Sequence, residues 1–278
     1  MERKVSSMSE IKIKIVNQMQ ETCMEVCGTD EAALVYRDCY QEGDKIVINV
    51  DDVNTFYWIS VDGTIEKSLV YLTGEMQYEI PFGDKKLNLC PNAFVGDRNL
   101  VYVRRAYPFE VNAYRNLACN PNDQHGLTHS FPHASANVET RGESVFAAMN
   151  AIDGVVAPYH HGKWPYQSWG INQREDAEWT LEFGRTVSID RVVVYLRADF
   201  PHDNWWEQAK LSFSDGTEML LPLEKGGHAQ TFTFEPKQVS WLKLSDLKKA
   251  DDPSPFPALT QVEAVSYTHL RAHETRRH

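Results

Sequence analysis

Positive charge is in short supply. The 278 residues carry 28 lysines and arginines against 39 aspartates and glutamates, a formal net charge of −11. Nucleic acid and anionic membrane surfaces are held by basic faces, so neither is expected as the main partner. Cysteine is scarce and poorly spaced for chemistry. Cys23, Cys27, Cys39, Cys90 and Cys119 form no C-x-x-C pair, and an odd set of this kind fits reduced thiols rather than a disulfide framework or a zinc site. No apolar run is long enough to span a bilayer, and residues 1–9 lack the apolar stretch of a secretory leader, which makes the cytoplasm the expected compartment. A Gly-rich phosphate loop, an H-E-x-x-H pair and a G-x-S-x-G elbow are all absent. Long amphipathic helical stretches, which an α/β fold needs, are missing as well.

Short strands and turns are what remains. Ile11, Ile13 and Ile15 alternate with Lys12 and Lys14, the period of a half-buried strand. The runs ALVYRDCY, KIVINV, TFYWISV, SLVYL, MQYEIPF and LVYVRRA follow, separated by Gly, Asp and Asn. Only residues 19–26 read ambiguously, with a helix as one reading. Many short strands at near-regular spacing predict an all-β sandwich over residues 10–108. Trp58 is expected in its core, and Asp62, Glu66, Asp84 and Asp97 are expected as solvated turn carboxylates. The pattern is diffusely similar to small jelly-roll modules of carbohydrate-active proteins. Residues 109–122, with two prolines just before or within them and several asparagines, lose the alternation and read as a linker between domains in contact.

In the second half, residues 115–264, strands are expected at 178–183, 191–196, 209–214, 231–234 and 239–244. The loops between them hold His160, His161, Trp164, Tyr166, Trp169, Arg197, Asp199, His202, Trp205 and Trp206. Strands that carry aliphatics while their loops carry rings and fork donors describe a scaffold that presents a recognition surface. Adjacent His160 and His161 suit a shared metal badly, so hydrogen bonding is the better reading of these histidines. Trp179 and Trp241 fall inside strands and are expected in the core.

HASANVET, FAAMNAIDG, AEWTLEFGRTVSIDRVVVYLR, KLSFSDGT, TFTFEP, VSWLKLSDL and PALTQVEA, in that order, resemble the discoidin or coagulation-factor type C domains and the galactose-binding-like carbohydrate-binding modules. The resemblance implies a second β-sandwich jelly roll, giving two in tandem, whose loops at one end bind ligand. It also implies a structural calcium ion near Asp153, completed by Glu263 of the last strand; the alternative is an Asp-Gly turn without an ion.

A sugar site pairs a stacking ring with fork and hydroxyl-bonding groups. Arg197, Asp199, His202 and Trp205, directly after a strand, meet that description. His160, Trp164 and Trp169, with Tyr166, form the expected opposite wall. Nothing pairs Glu139, Glu143, Asp199 and Glu207 as acid and base, so the expected function is non-catalytic glycan binding, an accessory to a larger protein whose catalytic domain lies outside this chain. Two alternatives stand beside it: a carbohydrate-active enzyme with its site between the modules, and a discoidin-type module that docks protein or lipid. VSYTHLRAHET near the C-terminus matches a reading frame of a transposase-type sequencing adapter. Residues 265–278 are therefore expected to be foreign, a metagenomic fragment's end, and dispensable for folding.

Overall fold

The structure is a computed structural model that describes residues 8–157, 162–198 and 203–266. It is almost entirely β. The first half contributes β1 (Glu10–Val16), β2 (Thr22–Thr29), β3 (Glu31–Tyr36), β4 (Lys45–Val50), β5 (Thr55–Ser60), β6 (Ser68–Leu72), β7 (Met76–Glu79) and β8 (Asn99–Arg105). After a single helical turn, α1 (Pro108–Val111), come β9 (Arg115–Asn116), β10 (Ser130–Phe131), β11 (His133–Ala136) and β12 (Trp169–Gly170). The remainder is β13 (Trp179–Arg197), β14 (Trp206–Phe213), β15 (Glu218–Pro222), β16 (Gln230–Lys249) and β17 (Ala258–Ser266).

The first sandwich sets a four-stranded sheet, β2-β1-β4-β7, against a five-stranded one, β10-β6-β5-β8-β3. Alternation decides which side chains meet between them. Ile11, Ile13 and Ile15 of β1 point in, as expected, against Ile46, Ile48, Val101 and Val103. On β5 the same rule overturns an expectation: Tyr57 and Ile59 enter the core, so their neighbour Trp58 must face away and is only half-buried. Residues 22–29 form β2, a strand whose side chains are mostly exposed, rather than a helix; backbone pairing with β1 holds it there. Asp62 is buried rather than solvated, because its carboxylate accepts the Thr64 and Phe94 amides at 2.8 and 3.0 Å.

The second sandwich is built on two long strands. β13 pairs with β11 at its start, over residues 179–182, and with β17 from Arg191 onward, while β16 follows it along both stretches. A register break between Glu182 and Val187 separates the two halves, and Gly184 sits in the break at φ +69°. Each half then supplies one face to a common core that includes Leu181, Phe183, Val192, Leu196, Trp179 and Trp206. Trp241 is half-buried rather than central, since Leu242 and Leu244 take the inward positions of β16.

Residues 109–122 are not a free tether. Leu117 and Ala118 join the second core, and the chain then turns back onto the first sandwich, where Asn122, fully buried, donates to the Ile59 carbonyl and accepts the Val61 amide. β10 goes further and extends the first sandwich's sheet on β6 before β11 enters the second. Across the same junction Asn88 bonds Asn150 at 3.0 Å, and the Trp164 amide donates to the Leu87 carbonyl. At the C-terminal end β17 continues through Val265 and Ser266, which pair with Asn116 and Arg115 of β9; those two residues are thus integrated, and 267–278 lie outside the described residues. No described helix is long and apolar enough to cross a membrane.

Candidate functional site

Arg197 is the last residue of β13. Its side chain is 3% exposed, so it forms the floor of a site rather than a projecting arm. The guanidinium donates to Ser168 Oγ at 3.2 Å and lies 3.5 Å from the carboxylate of Asp203, which is itself fully buried and takes the Tyr166 hydroxyl at 3.1 Å. The Phe146 and Tyr166 rings, each 5.6 Å from the guanidinium carbon, bracket it. An arginine held by a carboxylate, a hydroxyl and two rings has one orientation.

Above this floor opens a cleft of about 340 Å³, within the range of small-molecule sites. One wall is the proline-flanked Phe256, 48% exposed in the loop before β17. The turn from Ile171 to Arg174, closed by the Arg174 amide donating to the Ile171 carbonyl, also lines the cleft through Ile171, Asn172 and Gln173. Asn172 and Gln173 in that turn have φ of 49° and 60°, and Arg141 beside it has φ of 53°. Left-handed backbone at three non-glycine residues around one cleft is strain held by the surrounding fold, a pattern that concentrates at functional sites. Gly170 is required here: a Cβ would stand 2.6 Å from Thr140 Oγ1. Arg141 forks onto Glu143 at 2.5 and 2.8 Å, which holds the carboxylate below its ordinary range.

The expected residues separate into three groups. Arg197 reaches the cleft. Trp169 does not: it is wholly buried, its indole N–H bonded to the Val138 carbonyl, and Tyr166 is likewise buried beneath Arg197. Trp164 is half-buried at the junction of the sandwiches, so the expected aromatic wall is core and anchor instead. Trp205 is half-buried against the core with the Lys225 ammonium 4.8 Å above its ring, while Trp206, the first residue of β14, is buried within that core. Asp199, His202, His160 and His161 lie outside the described residues. Phe256, Asn172 and Gln173 were not singled out from the sequence. A lone phenylalanine framed by Pro255 and Pro257 was the available signal.

Asp153 and Glu263 each have a protein partner. The Asp153 carboxylate accepts the Val155 amide at 2.8 Å and the Gln167 side-chain amide, and burial pushes its pKa up to about 7. Glu263 is raised by burial too, but its partner is the Tyr195 hydroxyl. Among the described residues no group of three His, Cys, Asp or Glu side chains converges as a metal-binding set. The Val155 amide bond to Asp153 is that of an Asp-Gly turn, which forms with or without an ion.

A family model described as a domain of unknown function (DUF7402) matches residues 130–250. No curated protein matches the chain. Among solved structures, the chain is similar to chitosan-binding module 1 of a chitosanase/glucanase from Paenibacillus sp. IK-5, with 16% identity, 54% of this chain and 98% of that one covered, and a TM-score of 0.38. It is also similar to the family 32 CBM of NanJ from C. perfringens in complex with galactose, with 17% identity, coverages of 48% and 92%, and a TM-score of 0.37. A fucose-binding module of Streptococcus pneumoniae gives 14% identity, coverages of 57% and 96%, and a TM-score of 0.38.

Proposed function

We propose that the cleft over Arg197 binds a neutral glycan without catalysing its cleavage. The observation that carries this reading is that Arg197, fixed in the floor, and the exposed Phe256 line the same cleft. A pyranose offers an apolar C–H face and a ring of hydroxyls. Phe256 takes the first, and Arg197 with the amides of Asn172 and Gln173 takes the second. Arg141 on the rim is paired with Glu143, and among the described residues that line the cleft there is no carboxylate to serve as acid or base.

A glycan array followed by calorimetric titration tests the proposal. Phe256 is surface-exposed, so Phe256→Ala should leave the melting temperature nearly unchanged and weaken the best array hit about tenfold, the scale of one aromatic stack and its buried area. Unchanged affinity in that variant, or no hit on the array, would remove the site. Turnover of an aryl glycoside that disappears with a carboxylate substitution would replace binding by catalysis.

A further inference from the structure

The two sandwiches meet over a second cleft, of about 620 Å³, lined by Arg185 and Thr186 of β13, Asn54, Thr55 and Phe56 at β5, and Tyr107 before α1. Two guanidinium groups gather there on one ring: Arg185 lies 4.2 Å and Arg115 5.9 Å from the Phe56 centroid, and Arg185 also lies 4.8 Å from Tyr71. Four arginines occupy this region, and they are treated unequally. Arg104 is neutralised by Glu110 at 2.7 Å, and Arg105 by Asp52. Arg185 and Arg115 have no carboxylate among the described residues. Arg185 donates to the Phe183 carbonyl at 3.0 Å and Arg115 to the Asn116 carbonyl at 3.1 Å, while Arg115 Nε is buried with no partner.

Asp30 and Glu31 also line the cleft, but Asp30 lies 3.9 Å from Arg105, and among the described residues neither carboxylate is within ion-pair distance of Arg185 or Arg115. Two like charges drawn out of water beside each other are costly, and arginine cannot shed its proton to relieve the cost. Burial and the neighbouring Arg115 push Arg185 down to about 9, and burial pushes Arg115 down to about 10, so both resist the charge they carry. An oxyanion in the cleft would relieve both, with the planar fork of Arg185 matched to two oxygens. Hydroxyls of Thr55 and Thr186, the Asn54 amide and the exposed Tyr107 ring provide for a polar ring carrying that anion.

We propose that this interdomain cleft binds an acidic sugar through its oxyanion group, carboxylate or sulfate ester, with Arg185 as the contacting residue and Arg115 supplying supporting charge. The inference stands apart from the neutral-glycan reading of the Arg197 cleft, since the two sites share no residue.

Calorimetric titration of the whole chain with glucuronate, glucuronate methyl ester, glucose, glucose 6-sulfate and inorganic sulfate tests it. Glucuronate or glucose 6-sulfate should bind while glucose and the methyl ester do not, and the responding member of the pair identifies which oxyanion is used. Arg185→Gln should weaken that binding at least about tenfold, as loss of a charge-assisted fork does. Phe256→Ala should leave it intact, which separates failure here from failure at the Arg197 cleft. The proposal is overturned if neither acidic sugar binds, if the methyl ester binds as well as the acid, if inorganic sulfate alone responds, or if Arg185→Gln retains affinity. Should Arg185→Gln not fold, acid is compared with methyl ester on the unaltered chain and with the variant Arg115→Gln: equal binding of acid and ester, or full affinity in Arg115→Gln, overturns the proposal as well.

Discussion

Replacing Arg197 by methionine tests whether the floor of the cleft is framework as well as binding surface. Arg197 and Asp203 are 3% and 0% exposed, and their charged groups lie 3.5 Å apart. Removing one member of a buried ion pair leaves the other charged in a low-dielectric interior, a loss of ~3–5 kcal/mol. Methionine keeps much of the apolar stem's volume between Phe146 and Tyr166, so little of that loss should come from a void. The double variant Arg197→Met/Asp203→Asn removes both charges and keeps a hydrogen-bonding partner for the Tyr166 hydroxyl. It should recover most of the stability, since replacing both partners of a buried pair is often near neutral. Urea unfolding followed by tryptophan fluorescence reads both, because Trp169, Trp179 and Trp206 are buried in the same core. A single variant within about 1 kcal/mol of the unaltered protein, or a double variant no more stable than the single, would refute the framework role. Loss of glycan affinity in the single variant would then need correcting for the folded fraction before Arg197 is credited with binding.

Gly184→Ala combines a left-handed backbone at φ +69° with a Cβ 2.3 Å from the Phe131 ring, for a combined loss of ~2–5 kcal/mol in urea unfolding. Asp153 is stabilising to the fold while protonated, so its contribution is complete below pH 3.8 and lost as pH rises through about 7. By linkage the loss reaches up to ~4 kcal/mol, and Asp153→Asn should flatten the stability profile between pH 4 and pH 8. His125 is raised above 6.5 chiefly by its hydrogen bond to Glu139 at 2.8 Å, so its contribution is present below 6.5 and fades as pH climbs past the shifted value. Its imidazole resonances should titrate at lower pH in Glu139→Gln, and an unchanged midpoint would dismiss the pairing.

Much of the scaffold could be read from the chain because its signals are local. The isoleucines of β1, the spacing of turn residues and the order of short strands all follow from two-residue alternation. Errors arose where a place within a strand was read as inward without settling the direction. Trp58 and Trp241 looked like core residues because they fall inside strands, but Tyr57, Ile59, Leu242 and Leu244 hold the inward positions. β2 was obscured because its mostly exposed Cys, Met and Glu side chains carry no clear period, and its strand state depends on β1. At the site, Arg197 was visible as a strand-end arginine, but its burial depends on Asp203, Ser168 and Tyr166, whose arrangement comes only with the packed fold. Trp169 was misplaced for the same reason. Phe256 was overlooked among seven tryptophans, although it is a ring in the cleft wall that is exposed enough to stack.

The detour of residues 120–131 through the first sandwich governs how portable the second one is. A gene segment opened at residue 115 would carry β10 away from β6 and take Asn122 from its bonds to the Ile59 carbonyl and the Val61 amide. The abandoned half would be left with a bare strand edge, the sort that recruits other chains into aggregates. The transplanted half would trail a polar strand end with nothing to pair against. Shuffling of domains favours cuts that leave both pieces intact, and this chain offers no such cut at its middle. The two sandwiches should therefore fold and persist as one unit.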